Sequence, residues 1–422
     1  MEPAIVTAFE HQVLTVGNGH EAMLRPHEAT RLLELGASRP GFCTAGHQSV
    51  RLAQYAGLVN LGGRMLEVLP KVGEDAGMAG SRGTFLRMLK LASDVKLFSR
   101  ESASHDVARQ SLLGVFVSAF LDELVYLVRS GLLRRYHNRT DDLRLVRGRL
   151  QVARQVAVHG MRPDLLACRF DELTADNPWN QVLVSALVKV RPWIDSVADG
   201  RRWLDLASAF DGVSPREDAL TLLHALIPDR QARRYAAALR WADLILRVLS
   251  PNVRSGEMEA PECLFDMNRL FESSVAATLR RGGRGKGLQV STQERGRFLA
   301  RLVTPGDKWM FRLRPDLVIR DAAGVVAVGD TKWTRITADA HGWLAPQESH
   351  IYQMHAYSSA FPARDLYLVY PWHAGLEPAQ TTSLRLPSAS GGDVLLHVIC
   401  VDVGEDGFPQ RGGCEHWQRL IG

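Results

Sequence analysis

The chain has 422 residues, a length that allows two or three domains with substantial hydrophobic cores. Apolar residues make up 46% and charged residues 23%, close to the averages of soluble globular proteins, which excludes extended disorder and a membrane-embedded bundle. The formal net charge is +5, and only seven of the 51 cationic residues are lysines. So small a net charge is a weak indication of nucleic-acid binding.

The cysteines and the N-terminus indicate the compartment. The five cysteines are far apart and form no C-x-x-C pair, which excludes a disulfide framework and a cysteine zinc site. The first residues contain two glutamates and lack the basic and apolar regions of a secretory signal. No uncharged apolar run approaches the about 18 residues that a membrane-spanning helix needs. We therefore expect a cytoplasmic protein without membrane contact.

Three regions of different pattern follow one another. Residues 1–75 alternate short apolar runs with glycine, and LVNLGGRMLEVL predicts two strands joined at Gly62 and Gly63. Residues 76–260 are mainly helical in pattern, with helical blocks in LLGVFVSAFLDELVYLVRSGLL, NQVLVSALVKVRPWIDSVA and RYAAALRWADLILRVL. The polar passage CRFDELTADNPWN (168–180) is predicted to be a loop that enters the second block.

From residue 261 the pattern predicts an α/β domain. It contains a helix in MNRLFESSVAATLRR, a connector rich in glycine and arginine, several strands, another helix near residue 350 and further strands. The predicted fold class is therefore α+β and multidomain. It comprises a β-rich N-terminal region (1–75), a mainly helical middle region (76–260) and an α/β C-terminal domain (261–422).

The segment FRLRPDLVIRDAAGVVAVGDTKWTRI (311–336) is the most informative part of the sequence. Two β-type runs, FRLRPDLVIR and VVAVGDTKW, flank a connection of hairpin length at 321–324. Asp330 and Lys332 are two residues apart and so share one face of the second strand, and Asp316 lies on the first. The apolar set expected on the opposite face of the first strand comprises Phe311, Leu313, Leu317 and Ile319. The hairpin can therefore bring two carboxylates and one ammonium group together.

These groups suit phosphodiester hydrolysis. Two carboxylates with a backbone carbonyl form an oxygen site for Mg²⁺, which binds few protein ligands and keeps several waters. The cation polarises a phosphoryl oxygen and lowers the pKa of a bound water, while a nearby lysine orients that water. A D-x-K pair alone would equally fit a surface salt bridge. The order Pro315-Asp316, 13 intervening residues and then Asp330-Thr331-Lys332 is the more specific signal.

Two further segments add candidate residues. SHIYQMHAYSSAF (349–361) predicts a helix in which Gln353 and Tyr357 are four residues apart and lie on one face, where they can bind a carboxylate, a water or a phosphate. Glu272 lies beside the apolar stripe of the helix MNRLFESSV. A buried tyrosine with a surface glutamine, and a glutamate that flanks a buried face, remain alternative interpretations.

Taken together, Glu272, Pro315-Asp316, Asp330-Thr331-Lys332 and Gln353 to Tyr357 resemble the PD-(D/E)xK nuclease superfamily, and the Q-x-x-x-Y pattern resembles its RecB-like branch. The resemblance implies a restriction-endonuclease-like fold for residues 261–422. It also implies that Asp316 and Asp330 bind Mg²⁺ with help from Glu272, and that Lys332 positions the attacking water. Gln353 and Tyr357 would support the site.

A wider set of motifs resembles the McrC family, the nuclease subunits of 5-methylcytosine-specific restriction enzymes. In chain order these are MLEVLPKV, LRMLKLA, LRLVRGRL, CRFDELTADNPWN, FDMNRLFE, IYQMHAY and LYLVYP, which span about 50 to 372. The resemblance implies a type IV, modification-dependent restriction system. Its partner would be an McrB-like AAA+ GTPase in a hexameric ring, whose GTP hydrolysis this chain stimulates while it cuts double-stranded DNA. The chain has no G-x-x-x-x-G-K-[ST] motif, so GTP is expected on the partner.

Two arginine-rich segments are candidate DNA-binding surfaces. One spans residues 129–154, and the other spans residues 280–301 immediately before the hairpin. We expect the second segment to follow the phosphate backbone without reading bases. Its predicted DNA-binding residues are Arg280, Arg281, Arg284 and Lys286. A solvated charged face is the alternative.

Two other functions stay open at the level of sequence. The chain could act chiefly as an adaptor that activates an AAA+ partner, because more than half of it precedes the predicted nuclease domain. It could also be a self-sufficient RecB-like nuclease.

Overall fold

The computed structural model describes residues 5–18, 23–72, 77–92, 110–162, 164–227, 229–249, 263–303, 306–377, 380–387, 393–405, 407–411 and 414–421. Its contacts divide the chain into two compact units. Of the described residues, those from 113 to 249 form the middle unit, and those from 5 to 112 and from 263 to 421 form the terminal unit. The N-terminal β-rich segment thus belongs to the same unit as the C-terminal segment, and the division into three domains stays a prediction.

The N-terminal part of the terminal unit contains, in its described residues, short strands and two helices. Strands β5 and β6 pair antiparallel across Gly62 and Gly63, which confirms the predicted hairpin. Gly62 adopts a positive φ of 91°, a conformation that favours glycine. The elements are β1 (Ile5–Phe9), β2 (Val13–Thr15), α1 (Pro26–Ser38), β3 (Cys43–Gly46), β4 (Ser49–Leu52), β5 (Tyr55–Asn60), β6 (Met65–Leu69) and α2 (Gly77–Ala92).

The middle unit is mainly helical and also contains a small sheet in the order β7-β9-β8. Its elements are α3 (Leu112–Arg129), β7 (Arg135–Leu143), β8 (Arg149–Leu150), α4 (Val152–His159), β9 (Leu166–Thr174), α5 (Pro178–Val190), α6 (Val197–Ala209), α7 (Ala219–Ala225) and α8 (Ala236–Leu249). The three predicted helical blocks are confirmed as α3, α5 with α6, and α8.

The prediction of a loop at 168–180 was wrong for its first half. Cys168 and Phe170 are buried while Arg169 and Asp171 are exposed, which is the alternation of a strand with one buried face. This segment pairs with β7 along its whole length. Its many charged residues occupy the exposed positions and concealed the period of two.

The C-terminal segment alternates strands and helices. Its elements are β10 (Cys263–Asp266), α9 (Met267–Gly283), β11 (Gln289–Thr292), β12 (Arg297–Leu302), β13 (Lys308–Leu313), β14 (Leu317–Asp321), β15 (Gly324–Thr331), β16 (Thr337–Ala338), β17 (Leu344–Ala345), α10 (Glu348–Ala360), β18 (Asp365–Pro371), β19 (Thr382–Leu386), β20 (Val394–Val401), β21 (Gln410–Arg411) and α11 (Glu415–Ile421). The predicted helices α9 and α10 and the hairpin β14–β15 are confirmed.

A mixed sheet in the order β11-β14-β15-β18-β20-β19 organises this segment, and β21 pairs with β20 at its margin. Strands β15, β18 and β20 are parallel, and α10 lies in the connection between β15 and β18. Helix α10 buries Met354 and Tyr357 against a core that includes Val328 and Leu366. The carboxyl end of β15 therefore lies beside α10, and such strand ends are where open α/β sheets place their sites.

The run FRLRPDLVIR forms two strands, contrary to the prediction of one. Strand β13 ends at Leu313 and β14 begins at Leu317, because Pro315 between them has no N–H to donate to a ladder. Phe311 is 68% exposed with a positive φ of 57°, so it is not part of the buried apolar set. Asp316 consequently lies on a short connection between strands.

The two segments of the terminal unit share a sheet. Strand β10 pairs with β5, and a Cβ on Gly57 would lie 1.8 Å from the carbonyl oxygen of Cys263, so this close pairing requires glycine. Ser274 of α9 donates a hydrogen bond to the carbonyl of Met88 on α2. Among the described helices, none is both long and apolar enough to cross a membrane.

Candidate active site

The predicted site residues come from four neighbouring elements of the terminal unit. Helix α9 supplies a glutamate, the β13–β14 connection and β15 each supply an aspartate, a lysine follows β15, and α10 supplies an amide and a phenol. In that order the residues are Glu272, Asp316, Asp330, Lys332, Gln353 and Tyr357.

Asp330 lies at the centre of one hydrogen-bonded group. Its side chain is almost fully buried, and Oδ2 lies 2.6 Å from Nζ of Lys332. The ammonium also donates to Oε1 of Gln353 at 2.8 Å, and the amide of Gln353 donates to Asp330 Oδ1 at 3.1 Å. The glutamine thus bridges the carboxylate and the lysine. The parity prediction that Asp330 and Lys332 share a face is consistent with this contact.

Tyr357 completes this group from the next turn of α10. The amide of Gln353 donates to its hydroxyl at 2.8 Å, and the hydroxyl lies 3.2 Å from Asp330 Oδ1 and 3.0 Å from the carbonyl of Arg314. Burial, followed by the charge of Asp330, raises the pKa of Tyr357, so it stays a neutral donor. The spacing of four residues indicated this shared face, but not that the face meets Asp330.

Asp316 is held by the strand that carries the other carboxylate. Its Oδ2 accepts hydrogen bonds from the backbone N–H and the hydroxyl of Thr331, each at 2.8 Å. Because Thr331 lies between Asp330 and Lys332, these bonds tie the β13–β14 connection to the end of β15.

Gln293 is a site residue that sequence reasoning missed. Its amide donates to both oxygens of Glu272, at 2.8 and 2.9 Å, and to Asp316 Oδ1 at 3.3 Å. It adopts a positive φ of 52° in the turn after β11. Because a polar turn residue has no distinctive spacing, its role follows only from the fold.

The three carboxylates influence one another electrostatically. Burial, then the charges of Asp330 and Glu272, raises the pKa of Asp316 to about 7. Burial also raises the pKa of Glu272, and the charge of Asp330 raises it further. The hydrogen bond from Gln293 lowers it in part. Negative charge is therefore concentrated here beyond what Lys332 balances, and a cation would relieve it.

The donor set fits a hard cation held by few protein ligands. No group of three or more His, Cys, Asp or Glu side chains in the described part of the chain is arranged to hold a metal by itself. Asp330 Oδ2, however, is buried and accepts no hydrogen bond from the described residues. It is ion-paired with Lys332, but this contact does not have hydrogen-bond geometry. Carboxylate and carbonyl oxygens completed by water suit Mg²⁺.

The predicted DNA-binding residues lie at the end of α9 and in the following turn. All four side chains are exposed. Arg280 donates to the carbonyl of Val290 at 3.2 Å, and Lys286 donates to the carbonyl of Arg419, in the last turn of α11, at 2.6 Å. These two side chains therefore make contacts within the fold. Arg281 and Arg284 are equally exposed, and no such hydrogen bond is described for them.

Trp333 links the candidate site to the N-terminal sheet, which the sequence did not reveal. Its indole N–H donates to the carboxylate of Glu10 at 3.0 and 3.1 Å, and its ring lies 5.3 Å from that of Phe271. The tryptophan follows Lys332, and Phe271 precedes Glu272. A buried glutamate of the N-terminal segment thus supports two elements of the site.

The chain is similar to known proteins in sequence and in fold. The family model described as "McrBC 5-methylcytosine restriction system component" matches residues 50–371. No curated protein matches the chain. A chain of the half-complex from a tetradecameric assembly of Thermococcus gammatolerans McrB AAA+ hexamers with bound McrC is similar to it, with a TM-score of 0.70 and 16% identity over 99% of this chain and 98% of that one.

A second solved structure, the Thermococcus gammatolerans McrBC complex, is similar over 66% of this chain and 88% of its own, with 19% identity and a TM-score of 0.49. At the identity of the first structure the likeness establishes a shared fold, while the family model covers most of the present sequence. The chain therefore belongs to the family of McrBC 5-methylcytosine restriction system components.

Proposed function

We propose that this protein is the Mg²⁺-dependent endonuclease subunit of a modification-dependent restriction system, with a C-terminal domain of the PD-(D/E)xK type. The observation that carries the proposal is the meeting of Glu272, Asp316, Asp330 and Lys332 from separate elements at the end of β15. A structural salt bridge would balance its charges, whereas this cluster raises the pKa of two of its carboxyl groups.

Asp316 and Asp330 would hold Mg²⁺ with help from Glu272, and water would complete the coordination. When bound, the cation supplies Lewis-acid polarisation of the scissile phosphate and a water of lowered pKa. Thr331 fixes the rotamer of Asp316 through two hydrogen bonds, and Gln293 holds Glu272 next to it. These contacts arrange the carboxylates before substrate binds, which reduces the cost of reorganisation during the reaction.

Lys332 would orient the attacking water and offset the negative charge that develops on the phosphate. Its ammonium is fixed by Asp330 and by the amide oxygen of Gln353. Tyr357 anchors that glutamine in turn. Gln353 and Tyr357 therefore act as positioning residues for the lysine and for Asp330.

The proposed partner is an McrB-like AAA+ GTPase in a hexameric ring, whose GTP hydrolysis this chain stimulates. Two observations support this: membership of the McrBC family, and a fold shared over nearly the whole chain with a protein from an assembly of McrB hexamers with McrC. In this proposal the partner recognises modified DNA and binds GTP, and the present chain cuts double-stranded DNA.

The central test is Asp330→Ala, assayed with the partner, GTP, Mg²⁺ and methylated plasmid. We expect cleavage to fall by at least about 100-fold, because a carboxylate that holds the metal is lost. Partner binding and stimulated GTP hydrolysis should be unchanged. Asp393→Ala, which removes an exposed carboxylate paired with Arg385, is the matched control and should cut normally. Full cleavage by Asp330→Ala would refute the site assignment.

The purified chain alone separates the remaining alternatives. We expect it to leave linear and circular DNA intact in Mg²⁺ without the partner and GTP. Cleavage under these conditions would identify a self-sufficient RecB-like nuclease. Stimulated GTP hydrolysis without cleavage in the complete mixture would identify an adaptor.

A further inference from the structure

Strands β12 and β13 form a two-stranded ribbon that is not hydrogen-bonded into the large sheet. We refer to Arg297–Leu302 and Lys308–Leu313 as the ribbon. Most of its side chains are exposed, whereas the central strands β15, β18 and β20 of the large sheet are largely buried. A two-stranded ribbon has little stability by itself, so exposed apolar side chains on it require a reason beyond folding.

The start of β12 and the end of β13, which together form the base of the ribbon, are close in sequence to residues of the candidate active site. Gln293, which bridges Glu272 and Asp316, lies four residues before β12. Asp316 lies three residues after the end of β13, and the carbonyl of Arg314 accepts from Tyr357. A molecule that binds along the ribbon as far as its base would therefore come close to the carboxylate cluster.

Positive charge is concentrated in and around the ribbon. Residues 295–314 contain six cationic residues and a single acidic residue, Asp307. Over residues 261–422 as a whole the two kinds are nearly equal, 18 against 17. The rest of residues 261–422 contains 12 cationic and 16 acidic residues, so the ribbon is a basic part of an otherwise slightly acidic segment. It therefore complements an anionic polymer.

Aromatic rings hold several of these cations in place. Phe298 and Trp309 stack with centroids 5.9 Å apart. The guanidinium of Arg312 lies 5.5 Å from the centroid of Phe298, and that of Arg301 lies 5.3 Å from Trp309. Arg297, at the base of the ribbon, lies over Phe361 at 5.5 Å. The faces of Phe298 and Trp309 are occupied by guanidinium groups and by the stacking of the two rings. We therefore infer that these rings orient the arginines and do not stack on bases.

We propose that the ribbon binds duplex DNA by lying along a groove next to the scissile phosphate, with Arg301, Lys308 and Arg312 on the phosphates. This deepens the proposed function, on which it rests for the identity of the polymer. A two-stranded ribbon fits the major groove, and exposed apolar side chains such as Leu299 and Phe311 can contact base edges there. Preoriented guanidiniums favour the regularly spaced phosphates of a duplex over a flexible single strand.

The test is the triple variant R301Q/K308Q/R312Q of the full-length chain. Binding to a fluorescent 30-base-pair duplex is measured in Mg²⁺-free buffer over a series of salt concentrations. We expect affinity at low salt to fall at least about tenfold, and the slope of log Kd against log salt to decrease by about two to three, since each lost phosphate contact removes about 0.9. Thermal unfolding should change little, because the contacts that are lost, the cation–π contacts and the ion pair of Arg301 with Asp307, lie at the surface.

The matched control is R201Q/R230Q/R233Q, which removes the same charge from exposed positions of the middle unit. Unchanged affinity and slope in the ribbon variant, or an equal loss in the control, would overturn the proposal. Tighter binding of a single strand of the same length by the wild type would overturn the assignment to duplex DNA. Loss of stimulated GTP hydrolysis with normal DNA affinity would assign the ribbon to the partner protein instead.

The outcome is separable from that of the proposed function, because binding is measured without Mg²⁺ and without cleavage. If the wild type never cuts DNA but the ribbon variant loses affinity, the proposed nuclease fails and the ribbon proposal stands. If the wild type cuts DNA and the ribbon variant binds and cuts normally, the ribbon proposal alone fails.

Discussion

A buried carboxylate, Glu67, and the cluster of three carboxylates at the candidate site lie in the same terminal unit but differ in how their negative charge is balanced. Glu67 on β6 is fully buried, and its oxygens accept from Arg82 at 2.8 and 2.6 Å, from Thr7 at 2.8 Å and from the backbone N–H of Leu112 at 2.7 Å. One carboxylate thus meets one guanidinium and two further donors. Such a group is satisfied within the terminal unit and connects β1, β6, α2 and Leu112.

The cluster of Glu272, Asp316 and Asp330 lacks this balance. Lys332 is ion-paired with Asp330, and burial with the charges of Asp330 and Glu272 raises the pKa of Asp316 to about 7. Complete pairing indicates a structural role for Glu67, whereas several carboxylates held close together with raised pKa values indicate a candidate functional site. The following variants test that distinction.

The largest effect is expected for Glu67→Ala. It leaves the partly buried Arg82 guanidinium without its partner and the N–H of Leu112 without this acceptor. We expect the free energy of unfolding to fall by about 3–5 kcal/mol, measured by urea denaturation. Asp393→Ala, which breaks an exposed ion pair, should cost less than about 1 kcal/mol. Similar losses in both variants would contradict the structural role of Glu67.

An intermediate effect is expected for Glu10→Gln, because Glu10 is a buried carboxyl without an opposing charge bonded to it. Burial raises its pKa from 4.5 to about 7, so the folded state favours the protonated form. Wild-type stability should therefore fall as the pH rises from about 4.5 to 7 and then stay constant. The amide oxygen of the variant can still accept from Trp333 and from the N–H of Lys71.

The measurement compares the free energies of unfolding of Glu10→Gln and the wild type at pH 5 and pH 8. The difference should shift by about 2–3 kcal/mol in favour of the variant at the higher pH, in line with the change in pKa. A difference that does not change with pH would show that Glu10 ionises normally in the folded protein.

The smallest effect on stability is expected for Asp316→Asn. Removal of one charge from the carboxylate cluster should raise the free energy of unfolding by about 1 kcal/mol without Mg²⁺, while the bonds from Thr331 are kept. Mg²⁺ should stabilise the wild type against denaturant but not this variant, because a ligand stabilises only the state that binds it. Equal stabilisation of both by Mg²⁺ would place the cation elsewhere. Asp393→Asn serves as the control.

Sequence patterns predicted the candidate site residues but not the residues that contact and support them. The hairpin β14–β15, helix α10 and the carboxylates with Lys332 follow from periods of two and four, which are local properties of strands and helices. Gln293, Glu10 and Trp333 gave no such signal. They are single polar or aromatic residues, and they reach the site only because strands distant in sequence pair with one another.

The same limit explains the errors. The strand β9 was predicted as a loop because its exposed face is unusually charged, and FRLRPDLVIR was predicted as one strand although Pro315 cannot continue a ladder. That interruption turns the following Asp316 toward Thr331 and leaves β13 to pair with β12 as a separate ribbon.

The sequence by itself determined the family motifs, the local elements and the residue types of the candidate site, because these depend on short-range periodicity and side-chain chemistry. Only the tertiary structure decided that β10 pairs with the N-terminal sheet and that Glu10 accepts a hydrogen bond from Trp333. It also decided that β12 and β13 pair as a ribbon whose base adjoins the carboxylate cluster. Such contacts join residues up to 323 positions apart. They depend on the pairing and packing of whole elements, which no local pattern encodes.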